Sequence, residues 1–272
     1  MSYKIPLTNL QNVGAGNTAT LKLPCGPGAP TVDQIKFVLA GGATPAMITA
    51  IRGKANGRIF MDESSGADLK KRHLFRGIPT VDAYVVIDNT EPKARNGAAE
   101  QLVASIPCAL LQDLAFEIKL DPTFVGTIKA SMNYRPPTTN PYIRKLLNTS
   151  QAFSAAGTDA SPNIMYLPTQ GAGGEIKRIW IHEDGAGVIT SAQIRIANNV
   201  VFESPRADLE DDQKRNGLTP QASICVLDFI EDGNLAGMLD TANAPSVELR
   251  LATTAAGSYR VYYELIDPIG RL

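Results

Sequence analysis

The sequence predicts an all-β chain made of two similar β-sandwiches in tandem. Three observations carry that reading: one phrase occurs twice in the same order, apolar and polar residues alternate in short runs punctuated by turn formers, and a proline-rich stretch lies near the midpoint. The phrase runs Ile48-Thr49, Asn56, Ile59-Phe60, Ala67-Asp68-Leu69, Lys71-Arg72, and again Ile189-Thr190, Asn198, Val201-Phe202, Ala207-Asp208-Leu209, Lys214-Arg215. The repeat distance is close to half the chain, far beyond the 20–50 residues of a solenoid unit. It marks a duplicated domain.

Taken in order, residues 18–23 alternate and stop at Pro24, so they predict a half-buried strand that ends in a Gly/Pro loop. Residues 32–39 and 46–53 give two more strands. Asn56-Gly57 between short apolar runs predicts a hairpin, because that pair accepts the positive φ of a type I′ turn. Ser64 or Ser65 is placed to cap a short helix through Ala67, Leu69 and Leu74, with Lys70, Lys71 and Arg72 toward its C-terminal end. Residues 81–87, 115–120 and 127–134 are strands; 89–96 is a loop; 97–111 begins as a helix and passes into a strand, without a clear border.

Pro136, Pro137 and Pro141 favour extended, unpaired backbone. They predict an N-terminal domain over 1–136, a linker over 137–150 with a helical turn at 142–147, and a C-terminal domain over 151–272. The second half repeats the order of the first. Residues 164–168 answer 19–24, Gly171 to Gly174 answer the Gly/Pro loop, and Glu175-Ile176-Lys177-Arg178 answer Gln34-Ile35-Lys36-Phe37. A turn at Asn198-Asn199 answers Asn56-Gly57. Residues 223–230, a short helix at 235–240, and strands at 247–251 and 259–266 complete the copy. Each half holds seven or eight short strands, a pattern shared by jelly rolls, immunoglobulin-like sandwiches and up-and-down barrels.

Composition narrows the function. Hydrophobic residues at 44% and charged residues at 19% describe an ordinary globular chain. Lys+Arg 26 against Asp+Glu 27 gives a net charge of −1, so there is no broad basic field for nucleic acid. Cys25, Cys108 and Cys225 lack metal-site or disulfide spacing and are expected as buried free thiols from a reducing cytoplasm. No apolar run is long enough to span a bilayer, and the first residues lack a secretory signal pattern. His73 and His182 stand outside any catalytic motif, and the glycine-rich stretches lack the Lys-Ser/Thr of a phosphate loop. No catalytic or cofactor-binding residues are expected. His73 after Lys70-Lys71-Arg72 is expected at a solvated helix end; contact of this basic cluster with anionic lipid is the functional alternative. Glu210-Asp211-Asp212 with Asp208, Glu183-Asp184-Gly185 and Glu231-Asp232-Gly233 are expected as solvated loop charge; hard cations take such ligands, and Arg206 and Arg215 could pair with them. Trp180 is expected in a strand, packed in the core.

Tandem sandwiches of this size resemble the double jelly-roll major capsid proteins. In the opening Asn9-Leu10, Asn12-Val13, Gly16-Asn17 and Leu21-Lys22-Leu23-Pro24, and in Phe116-Glu117-Ile118-Lys119-Leu120-Asp121, the chain is similar to the corticovirus capsid protein, from tailless phages with an internal membrane. The resemblance implies two eight-stranded jelly rolls with short helical insertions, and a structural role without enzymatic activity or required cofactor. It further implies homotrimers of pseudo-hexagonal outline that tile an icosahedral shell. Neighbouring capsomers, vertex and membrane proteins and an internal membrane are the implied partners, with no direct nucleic-acid binding. Calcium is the ion such capsids imply, its ligands here unknown. The location implied is the virion, after synthesis in the host cytoplasm. A carbohydrate-binding or cupin-like tandem sandwich is the alternative; a cupin would bring a His/Glu cluster and a lectin an exposed aromatic platform.

Overall fold

Alternation puts successive side chains on opposite faces of a strand. In Thr18–Leu23 it buries Ala19, Leu21 and Leu23 and leaves Thr18 and Lys22 outside. The computed structural model describes residues 3–63, 65–95, 104–138, 140–169, 173–185 and 187–272. Two units result. Unit 1 takes the chain up to Leu74, Ile78–Leu147 and Asp267–Leu272; unit 2 takes Phe75–Gly77 and Asn148–Ile266.

In chain order unit 1 contains β1 (Tyr3–Leu7), β2 (Leu10–Gln11), β3 (Thr18–Leu23), β4 (Thr31–Ala40), β5 (Ile48–Ala55), β6 (Arg58–Glu63), α1 (Gly66–Phe75, whose last residue counts with unit 2), β7 (Tyr84–Asp88), β8 (Ile106–Pro107), β9 (Leu114–Leu120) and β10 (Thr127–Arg135). One sheet has the order β1-β10-β4-β7 and the other β6-β5-β9-β3-β2, with β8 beside β4. Omitting the two-residue strands β2 and β8, eight strands cross between two sheets in jelly-roll order. Ile35, Phe37, Ile51, Phe60, Phe116 and Ile118 fill the space between them and are fully or almost fully buried. Burial of each such side chain is worth about 1.5–3 kcal/mol.

Unit 2 repeats this with β11 (Tyr142–Phe153, its first residues counted with unit 1), β12 (Asn163–Tyr166), β13 (Glu175–Glu183), β14 (Ile189–Ile196), β15 (Asn199–Pro205), α2 (Arg206–Arg215), β16 (Ile224–Asp228), β17 (Leu239–Asp240), β18 (Val247–Thr253) and β19 (Gly257–Pro268). Its sheets run β16-β13-β19-β11 and β12-β18-β14-β15, with β17 beside β13. Position for position, this is the order of unit 1.

The backbone irregularities repeat as well. The β5–β6 ladder shifts between Gly53 and Lys54, and the β14–β15 ladder between Ile194 and Arg195. The β5–β9 ladder shifts between Ile48 and Ala50, and β14–β18 between Ile189 and Ser191. All four sit at the same offset of 141 residues. Beyond each hairpin, the helices end alike: the Ile78 amide bonds the His73 carbonyl at 2.9 Å and the Leu218 amide the Gln213 carbonyl at 2.9 Å. Gly77 and Gly217 take the left-handed conformation that this C-terminal cap needs (φ 69° and 72°).

Several expectations change. Residues 142–147 belong to β11 and form no helical turn, so most of the expected 137–150 linker is strand. β1 was not expected at all. The second hairpin turns at Ala197-Asn198 (φ 49° and 69°), one residue before Asn198-Asn199, so Asn198 answers Gly57 rather than Asn56. Both turns have two positive φ values, the type I′ signature. β13 answers β4 three residues later than the sequence match: the bulges leave out Asp33 and Lys177, and Arg178 then takes the place of Gln34. Ser65 is the cap of α1, its Oγ accepting the Asp68 amide at 3.0 Å; Ser64, residues 96–103 and Gly171 lie outside the described residues. Residues 235–240 form a single 3-10 turn, Leu235–Gly237, followed by β17.

Gly126 packs where no side chain fits. A Cβ there would lie 2.1 Å from the Ala40 carbonyl oxygen, and its φ is +96°. Gly126→Ala is expected to lower stability by about 3 kcal/mol, read as a lower urea midpoint with an unchanged slope.

Candidate functional site

The residues with reactive side chains are held inside the units. His73 lies on the buried side of α1 at 5% exposure, and Arg72 beside it pairs with the fully buried Glu63 at 3.2 Å. Lys70 bonds Asp82. The expected solvated helix end, and with it a basic lipid-facing cluster, is therefore not what forms: the amphipathic turn of α1 brings Arg72 and His73 under the helix. His182 is also buried, edge-on to Tyr262 at 5.3 Å. Trp180 is buried as expected, with Phe75 edge-on at 5.1 Å and its Nε1 donating to Glu264 Oε2 at 3.4 Å.

The carboxylates of unit 2 divide into answered and unanswered groups. Glu183 accepts from Arg206 at 2.5 Å and from the Ile189 amide at 2.8 Å; Glu210 takes Arg206 at 2.7 Å and Asp211 takes Arg215 at 2.6 Å. Asp184 pairs with Arg260. Among the described residues no group of three or more His, Cys, Asp or Glu side chains could hold a metal ion. Glu231 differs. Partial burial, then the charges of Asp228, Asp212 and Asp232, push its carboxyl up to about 7.

Each of the two β4-type bulges seats a buried charge. Asp33, 3% exposed, accepts from Arg135, Nε to Oδ1 at 3.0 Å and to Oδ2 at 3.1 Å and Nη2 to Oδ2 at 2.6 Å, and from Ser105 at 2.9 Å. At the counterpart in unit 2, Lys177 Nζ lies 3.0 Å from Glu264 Oε1. Arg178 completes the group with Asp228 at 2.8 Å. These pairs leave no local signal, because their partners lie 50 to 102 residues apart along the chain.

The three thiols are unequal. Cys225 is buried and pushed up to about 12 by desolvation, and Cys108 is buried and raised by its hydrogen bond to Cys25 and by burial. Cys25 is only half-buried, and that same bond from Cys108 lowers its pKa. The expectation of three buried thiols is corrected at Cys25, which sits in the loop after β3.

Unit 1 also carries a cavity of about 390 Å³ on the outer face of its first sheet. Lys4, Asn133, Gln34 and Asp88 form one row across β1, β10, β4 and β7. Lys36 lies one row along, its Nζ 3.5 Å over the Tyr84 ring. These groups can hold negative charge.

Comparison with known proteins decides what such a scaffold is. The family model for the viral coat protein P2 N-terminal domain matches residues 4–135, and that for the C-terminal domain matches residues 143–269. The chain belongs to the viral coat protein P2 family. It is a structural capsid protein of the virion, not an enzyme, and the carbohydrate-binding and cupin-like alternatives fall away. The solved structures show the same fold. The major capsid protein P2 from bacteriophage PM2 is 17% identical with a TM-score of 0.87, covering 98% of both chains. A chain of Sulfolobus Turreted Icosahedral Virus is 14% identical with a TM-score of 0.71, covering 97% of this chain and 90% of its own. The Faustovirus major capsid protein is 6% identical with a TM-score of 0.59, covering 98% and 89%. A search of curated protein sequences gives no match. Among the described residues no helix is long and apolar enough to cross a membrane.

Two outcomes follow for the side chains above. The folded chain holds the Glu231 proton more tightly than the unfolded chain, whose carboxyl has the ordinary value of 4.5. Stability therefore falls as pH rises from about 4.5 to about 7. Glu231→Gln is expected to remove that part of the decline and to raise the denaturation midpoint at pH 8 more than at pH 4, checked by urea titrations at both. For the thiols, native protein is expected to react fast with one equivalent of a disulfide reagent, and Cys25→Ser to abolish that fast phase, followed by absorbance of the released thiolate.

Proposed function

We propose that three copies of this chain form a capsomer of pseudo-hexagonal outline, and that such capsomers tile an icosahedral shell around an internal membrane. The observation that carries the reading is the repetition of strand order, bulges and C-terminal helix caps in the two units. A threefold object offers six similar wedges to its neighbours only when each chain supplies two. The duplication supports this reading, and a net charge of −1 leaves little overall repulsion between copies.

The partners in this reading are two further copies, neighbouring capsomers, and vertex and membrane proteins of the virion. Lipid contact, where it occurs, is peripheral and does not use Arg72 or His73, which are buried. A structural calcium ion, in this reading, draws carboxylates from more than one chain; Glu210 and Asp211 are already held by Arg206 and Arg215. Size-exclusion chromatography with light scattering tests the reading: the expected mass is three times 29.1 kDa. A strictly monomeric protein at high concentration would overturn it.

A further inference from the structure

The duplication lets each surface of one unit be compared with its counterpart in the other. The bulges at Asp33 and Lys177 align β4 with β13, so Lys36 stands where Trp180 stands. The caps at Gly77 and Gly217 align α1 with α2, so Asp212 stands where Arg72 stands. In unit 2 both faces of β13 are buried, and Phe75 covers Trp180. The counterpart face of β4 is open, and the cavity lies on it. On α1, Asp68, Leu69, Arg72 and His73 are all buried; on α2, Asp208, Asp211, Asp212, Lys214 and Arg215 are exposed. One helix and one sheet face are covered, and the other copy of each is open.

The open pair is complementary in charge. Among the described residues neither Lys4 nor Lys36 has a carboxylate partner, and three lysines and one aspartate line the cavity. Among the described residues neither Asp212 nor Glu231 has a cationic partner, and both lie at the end of α2 with Asp232 nearby. Asp212 and Asp232 lie close enough to Glu231 to add to the burial that raises its carboxyl. Such separated patches steer and orient an encounter between like chains.

We propose that the end of α2 in a second copy of this chain docks over the cavity on the outer face of β4, setting Asp212 and Glu231 against Lys4 and Lys36. The proposal rests on the trimeric capsomer and names its contact. The contact is heterologous: helix end on one chain, sheet face on the next. Such a contact closes into a ring when its rotation is threefold, and each chain offers one surface of each kind, so a closed trimer leaves neither patch uncovered.

Charge exchange tests it. Lys36→Glu and Asp212→Lys are each expected to raise the trimer dissociation constant by about tenfold or more, because like charges then face each other. The double variant, with the charges swapped, is expected to recover assembly to within about threefold of the unaltered chain, measured by sedimentation velocity over a concentration series at low and high salt. Both side chains reach solvent, so circular dichroism and the urea midpoint of each variant are expected to match the unaltered chain; this separates loss of docking from loss of fold. Trimers of unchanged affinity in the single variants, or no recovery in the double variant, would overturn the docking surface while leaving the trimer standing. An unaltered chain that stays monomeric would overturn both.

Discussion

Each jelly roll depends on a bulged pairing between a central strand and its last: β4 with β10, β13 with β19. Side chains alternate with a period of two, so a slip of one residue would turn every inner side chain outward. The bulge fixes the register, and the charge it seats makes a slip costly. Moving Asp33 off Arg135, or Lys177 off Glu264, would strand a buried charge, which costs about 3–5 kcal/mol. From that register follow the inward placement of Ile35 and Phe37, the pairing of β7 and β16 on the far side, and the rows of polar residues outside.

The two units keep this device while reversing its sign. Unit 1 buries the acid on the central strand and the base on the last; unit 2 does the opposite. The same holds after the hairpins, where Lys70-Lys71-Arg72 of α1 corresponds to Glu210-Asp211-Asp212 of α2. A coat protein gains from such divergence. Two units alike in charge would present the same surface to any neighbour, whereas units of opposite charge pattern distinguish one neighbour from another. The role of the chain accordingly lies in shape and charge pattern, with its histidines and its tryptophan serving as core.

Much of this was legible along the chain. Asn56-Gly57 marked its turn because few residues take positive φ, and the alternation of residues 115–120 marked a strand buried on one side. The two first strands of the sandwiches, β1 and β11, were not legible. β1 pairs on one side only, with β10, and carries Pro6, which an edge tolerates. β11 begins after Pro141, and its Arg144, Lys145, Asn148 and Ser150 weaken the alternation. The basic run at 70–72 misled for a related reason: a charge count does not show which face of a helix turns inward.

The sequence alone determined that the chain is two copies of one β-sandwich, because a repeat of strand, turn and helix signals survives as local chemistry, each signal complete within a few residues. Only the tertiary structure decided which charges are buried, which thiol is accessible and which copy of each surface stays open. Asp33 meets Arg135 and Lys177 meets Glu264 only after the sheets have formed. Pairings that distant in the chain are set by register, and register is a property of the assembled sheets.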